Sequence, residues 1–232
     1  LTVINLAFMA FAAVSLGWLS MRALRDHRMA LAERSGLLDS LTVLFSDVNI
    51  RLGRDAFPVL VGKLPDQRSV KIELIPDTLV FRRLPQLWLQ VTLAETDIQR
   101  RPSIGALARP TGAEFYSIVH ELPQWIDPPQ ADVPLLVRGD GKATAAQIEC
   151  VSALFRSLFS DPTVKEAAIT PRVVRLTRQA AQGDRGSHLI LRQTRFPIGA
   201  ISPEQVKAAI ADAEILRQVL PGERSAAVSA VA

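Results

Sequence analysis

Of the 232 residues only one, Cys150, is a cysteine. No disulfide can close within the chain and no thiolate zinc site can be assembled from it, which agrees with a reducing compartment. Histidine is nearly as scarce: His27, His120 and His188 are the full complement of 3, and they lack the spacing of a metal-ligand set. Aromatic residues make up 6%, and no aromatic-rich platform for single-stranded nucleic acid accompanies the basic segments. No Gly-x-Ser-x-Gly elbow, His-Glu-x-x-His helix or Gly-x-Gly-x-x-Gly loop occurs. These absences argue against an enzyme without excluding one, so no catalytic residue, metal or cofactor is assigned.

The residues that superficially carry chemistry have plainer readings. His120-Glu121 is a polar pair without further ligands. Cys150 sits one position before Val151 on an amphipathic helix, where a half-buried thiol without a base is inert. The run Arg138 to Lys142, RGDGK, lacks the spacing of a phosphate loop, and Asp-Gly after a strand is turn chemistry.

Charge is also missing from the start of the chain, where no Asp, Glu, Lys or Arg precedes Arg22. As a helix rising 1.5 Å per residue, Leu1 to Met21 would extend roughly 30 Å, the thickness of a hydrocarbon core. The stretch neither opens on positive charge nor closes on a small-x-small cleavage site, so it reads as a transmembrane anchor over 1–24 rather than a removed leader. Interspersed Ala, Ser and Gly suit packing against another membrane helix. Arg22, Arg25, Arg28 and Arg34 follow on one flank alone, which predicts a cytoplasmic location for the rest of the chain. Leu1 in place of Met leaves open a literal reading of a non-standard start or missing upstream sequence.

The net charge of +4 is small, and arginine supplies most of the 27 basic residues, a bias typical of GC-rich bacterial genomes. The expected location is therefore the bacterial inner membrane. Residues 25–36 read as a juxtamembrane linker, helical until Ser35-Gly36. Leu37, Leu38, Leu41, Leu44, Phe45 and Val48 recur at helical spacing and predict a short amphipathic helix, with a strand as the alternative.

From Phe57 the period becomes two. Pro58 to Leu64, Val70 to Leu74, Thr78 to Leu84 and Leu87 to Leu93 read as strands of an antiparallel meander. Ile104 to Arg109 and Glu114 to Val119 flank Pro110-Thr111-Gly112 as a hairpin, and Gln124 to Pro134 as extended loop. Pro134 to Arg138 is a strand. Thr144 to Phe159 is a helix with Thr144 and Gln147 at capping-box spacing, followed by strands at Val164 to Thr170, Arg172 to Arg178 and His188 to Phe196. Ser202-Pro203-Glu204-Gln205 opens a last helix, stopped by Pro221-Gly222.

The fold class implied is α+β: an N-terminal transmembrane helix, then an antiparallel-sheet domain over 37–220 with two or three packed helices and a disordered tail over 221–232. A helix followed by strands that pivot on a proline, Ile75-Pro76 and Thr170-Pro171, would divide the domain into two similar halves, 37–110 and 133–220. Alternation places Trp88 opposite Leu87 and Leu89, Lys71 opposite Ile72 and Leu74, Arg175 opposite Val174 and Leu176, and Arg192 opposite Leu189 and Leu191. These four are the candidate contacts to a partner protein or to lipid.

The expectation is a single-pass membrane-anchored protein whose cytoplasmic domain binds another protein as an accessory or scaffold part of a membrane assembly. The alternatives are a membrane-tethered enzyme acting on a phosphate-bearing substrate and an anionic-lipid-binding module. Nucleic acid is disfavoured.

Overall fold

A computed structural model describes residues 3–78, 84–184, 196–221 and 223–224. The chain is α+β, with a large antiparallel sheet and, among the described residues, three α-helices. Helix α1, Val3–Ser35, leads into a 3-10 helix at Gly36–Leu44. Strands β1 (Ser46–Leu52), β2 (Pro58–Lys63), β3 (Ser69–Asp77) and β4 (Gln86–Ala94) form the expected meander. Then come β5 (Gln99–Arg100), β6 (Ile104–Ala108), β7 (Gln124–Ile126) and β8 (Leu135–Gly139). Helix α2 (Ala145–Leu158), β9 (Val164–Ile169), β10 (Val173–Gln182), α3 (Pro203–Val219) and β11 (Glu223–Arg224) complete the described elements.

Among the described residues nine strands make one sheet in the order β1-β2-β3-β4-β10-β9-β6-β8-β7, while β11 pairs with β5 apart from it. Two register rows cross all nine. Ile50, Leu60, Ile72, Val91, Leu176, Ala167, Ala106, Val137 and Ile126 lie side by side on one face. One residue along each strand, Asn49, Val61, Lys71, Thr92, Arg175, Ala168, Gly105, Arg138 and Trp125 form the matching row on the other. Since the side-chain period of a strand is two, a sequence that alternates in phase on every strand gives the sheet an apolar face and a polar one.

The apolar face carries the core. Helix α3 lies across β10, β4 and β9 with Val206, Ala209, Ala213 and Leu216 buried, α2 packs on α3, and Leu37, Leu38 and Leu41 of the 3-10 helix cover the β1–β2 end. Helices α2 and α3 begin at reciprocal capping boxes, Thr144 with Gln147 and Ser202 with Gln205, as their spacing implies. Ion pairs from Arg68 to Glu214 and from Arg178 to Asp212 tie α3 to the sheet side.

Several expectations change. Val48 belongs to β1, an edge strand that pairs with β2. The periodicity of 37–48 fits a helix, but the run is split between a 3-10 helix, which buries Leu37, Leu38 and Leu41, and strand β1, with Leu44, Phe45 and Val48 packed less deeply against the same core. Ile104–Ala108 pairs with β8 and β9 rather than with residues 114–119, which form turns instead of a strand. Gln124–Ile126 is a short edge strand, and Glu223–Arg224 of the tail is paired to β5. Cys150 is exposed rather than half-buried. The strand expected over 78–84 falls largely, and that over 188–196 almost wholly, outside the described residues, as does Arg192.

Helix α1 runs unbroken through the linker region, so 25–36 is helical up to Ser35. Among the described residues no helix is long and apolar enough to cross a membrane, which leaves the anchor unsupported at this level.

Candidate functional site

The polar face of the sheet is roofed by residues 109–121, which cross it as a strap. What fastens the strap is a set of charged side chains rising from the sheet's central strands. Lys165 on β9 sends its ammonium to the carbonyls of Ala108 (2.8 Å) and Arg109 (3.0 Å) and to Glu114 Oε1 (2.8 Å). Glu166, the next residue, accepts from the Ile118 amide at 3.2 Å. Arg175 on β10 donates to the Tyr116 carbonyl at 3.3 Å, and Arg138 on β8 donates to the His120 carbonyl at 2.7 Å.

A register shift makes the double hold at 165–166 possible. Thr177 pairs with Glu166 but Arg178 pairs with Val164, so Lys165 is the extra residue of a β-bulge. A bulge turns two consecutive side chains toward one face. Gly105 contributes by lacking a side chain, since a Cβ there would come within 2.8 Å of Val119 Cγ2 in the strap.

The electrostatics follow from this burial. Lys165 and Glu114 form an ion pair with side chains 5% and 1% exposed. Burial works to raise the Glu114 carboxyl, but the Lys165 ammonium and donors from Thr111 outweigh it and hold the group at about 2. Glu114 Oε1 also accepts from Thr111 N and Oγ1, each at 2.9 Å, and Oε2 from Gly112 N at 2.9 Å, with His120 Nε2 at 3.4 Å. Burial pulls the Lys165 ammonium down, with Glu114 opposing. Glu166 is fully buried, and burial pushes its carboxyl up to about 7 against the pull of Arg175 and the Ile118 N–H. The Tyr116 hydroxyl, buried without a hydrogen-bond partner among the described residues, is likewise pushed up.

The strap explains the fate of Trp88. Alternation places it correctly on the face opposite Leu87 and Leu89, yet it is 6% exposed. Its indole N–H donates to Asp77 Oδ2 at 3.2 Å, Tyr116 packs at 6.4 Å, and the Lys165 ammonium lies 6.0 Å from the ring centroid. Trp88 therefore lines the floor of a cavity of about 230 Å³ with Asp77, Glu114 and Lys165, and is no exposed contact.

Lys71 and Arg175 share one row, each flanking Thr92, so about 10 Å separates their backbones at two strand spacings. Both border a second, larger cleft of about 700 Å³ between the end of β1, the following loop and the strap. Arg51 and Arg54 stand at its rim, and Phe115, 61% exposed, projects beside it. Lys71 is paired to Glu73 at 2.8 Å.

Sequence reading missed Lys165, Glu166, Glu114 and Trp125. Lys165-Glu166 stands inside the strand VKEAAI, where an adjacent pair of opposite charges among apolar neighbours was the available signal. Trp125 on edge strand β7 is 70% exposed, with the Arg138 guanidinium 4.5 Å from its ring centroid. Among the described residues no group of three or more His, Cys, Asp or Glu could hold a metal ion.

No protein-family model and no curated protein matches the sequence. Among solved structures, the crystal structure of the mycobacterial trehalose monomycolate transport factor A aligns over 80% of this chain and 82% of its own at 9% identity, with a TM-score of 0.37. A similarity this distant carries no argument about activity, ligands or partners.

Proposed function

We propose that the chain is a single-pass inner-membrane protein whose sheet domain lies in the cytoplasm and binds another protein, as an accessory or scaffold part of a membrane assembly. The observation that carries the reading is the uncharged run of sequence from Leu1 to Met21, together with helix α1, which from Val3 onward continues to the foot of the domain. Its described apolar side chains, among them Phe8, Phe11, Val14 and Leu16, are exposed. Water is a poor environment for such a helix, and lipid a good one. Trp18 with the Arg22 guanidinium 5.5 Å from its ring centroid forms an amphipathic step of the kind found at a membrane interface.

For the partner, Trp125 now supports the reading in place of Trp88. It combines an exposed aromatic surface with a stacked guanidinium on an edge strand, features enriched at interface hot spots.

Three measurements test the proposal. A reporter fused after Ala232 is expected to be active when it requires the cytoplasm and silent when it requires the periplasm. Release of the full chain from membranes by alkaline carbonate would refute the anchor. Detergent co-purification with the wild-type chain should recover a partner that Trp125→Ala loses without a change in melting temperature. Equal recovery with both would remove Trp125 from the interface.

A further inference from the structure

The cleft beside the strap holds a charge arrangement that nothing in the fold requires. Its lining includes four cations, Arg51, Arg54, Lys71 and Arg175, against two carboxylates, Asp55 and Glu73. Lys71 and Glu73 neutralise each other at 2.8 Å. That leaves three arginines and one aspartate around about 700 Å³. Neither Arg51 nor Arg54 makes an ion pair among the described residues, and both are exposed. Arg175 donates one hydrogen bond to a carbonyl, while its Nε is buried without a hydrogen-bond partner among the described residues.

Register sets Arg51 on β1 and Arg175 on β10 on the same face of the sheet, about 19 Å apart along the backbone at four strand spacings, so that they face the cleft from its two ends. Like charges in a concavity repel, and a bound anion relieves that repulsion. Guanidinium groups match phosphate oxygens through paired N–H donors, and three of them suit a group with several acceptors.

The surroundings are not uniformly polar. Phe115, exposed, stands beside the arginines, and Val59, Ile75 and Tyr116 extend the apolar wall inward. A phosphate ion alone would leave that surface wet.

We propose that this cleft binds one phosphate-bearing amphiphile, with the phosphate among Arg51, Arg54 and Arg175 and its apolar part against Phe115 and Ile75. The proposal does not depend on α1 crossing a bilayer. The same chemistry could be presented by a membrane phospholipid or by a soluble phosphate ester, and the arms of the test separate them.

The full chain in neutral detergent is titrated with dihexanoyl phosphatidic acid, dihexanoyl phosphatidylcholine and glycerol 3-phosphate, and bound ligand is counted by native mass spectrometry. One saturable phosphatidic acid per chain is expected, bound at least about tenfold more tightly than either other probe. The double variant R51Q/R54Q, altered at two exposed side chains, should weaken that binding by about tenfold or more at an unchanged melting temperature. Phe115→Ser should weaken phosphatidic acid alone. Equal binding of glycerol 3-phosphate would overturn the amphiphile in favour of a bare phosphate ester. Equal binding of phosphatidylcholine, or indifference to R51Q/R54Q, would overturn the site.

Discussion

Replacing Glu114 by Gln is expected to be among the most damaging single changes outside the apolar core. Lys165 keeps its hydrogen bonds to the Ala108 and Arg109 carbonyls but loses its counter-charge while its side chain stays 5% exposed. An uncompensated buried charge of this kind costs about 3–5 kcal/mol. Lys165→Met should cost less, about 2–3 kcal/mol, because Glu114 retains donors from Thr111 N, Thr111 Oγ1 and Gly112 N. In the double variant no charge remains, the Gln oxygen can still accept from those donors, and Met fills the lysine stem's volume. Its loss should therefore be smaller than that of Glu114→Gln alone, by about 1–4 kcal/mol. Equilibrium urea unfolding of the full chain in detergent measures all four proteins, and Trp88, close to Lys165, reports on the region by fluorescence. Acid adds a second reading. A carboxyl held at about 2 against 4.5 contributes about 3 kcal/mol that is fully present above pH 4.5 and lost as pH falls through 2. The depressed Lys165 ammonium offsets part of it. Strict additivity of the two single losses, to within about 0.5 kcal/mol, would refute the coupling.

Glu166 should act with the opposite sign. Its folded carboxyl, at about 7, binds a proton that the unfolded chain at 4.5 has released, so stability falls by about 3 kcal/mol as pH rises through that window. Glu166→Gln should flatten this slope between pH 5 and 7, and a slope identical to wild type would show that the carboxyl is ionised throughout. Gly105→Ala places a Cβ 2.8 Å from Val119 Cγ2 and 3.1 Å from Ala168 Cβ, a crowding expected to cost about 1–3 kcal/mol. The second change Val119→Ala should recover part of that, and no recovery would mean that the strap is not what the new methyl meets. Thr144→Ala removes a reciprocal cap and should lower stability by about 1 kcal/mol, measurable as a shift in urea midpoint at constant slope.

Local chemistry was readable in the sequence, and long-range closure was not. Both capping boxes, the alternation of β3, β4 and β10, and the side of β4 on which Trp88 falls follow from neighbours a few residues apart. Burial of Trp88 depends instead on Tyr116 and on the Asp77 carboxylate across the hairpin, a contact that alternation cannot supply. The same holds for β1, whose leucine-rich approach satisfies helical and strand periods alike until β2 is there to pair with it. Lys71 and Arg175 were placed on the right face, but their common row becomes visible when β4 and β10 are known to be neighbours, some eighty residues apart in sequence. Lys165 and Glu166 escaped because alternation assigns consecutive residues to opposite faces, and the bulge cancels that rule where the strap is fastened.

The strap's four charged anchors also constrain how this chain can change length. Ala108 and Arg109, Glu114, Tyr116, Ile118 and His120 each meet a fixed partner on β8, β9 or β10, so the segment is measured off against the sheet almost residue by residue. Deleting one residue between Ala113 and Val119 would put every later anchor out of step at once, whereas residues 127–133 have no comparable set of ties. Insertions should accumulate on one side of Trp125 and be nearly forbidden on the other, so that a loop without regular strands has as rigid a length as the strands beneath it.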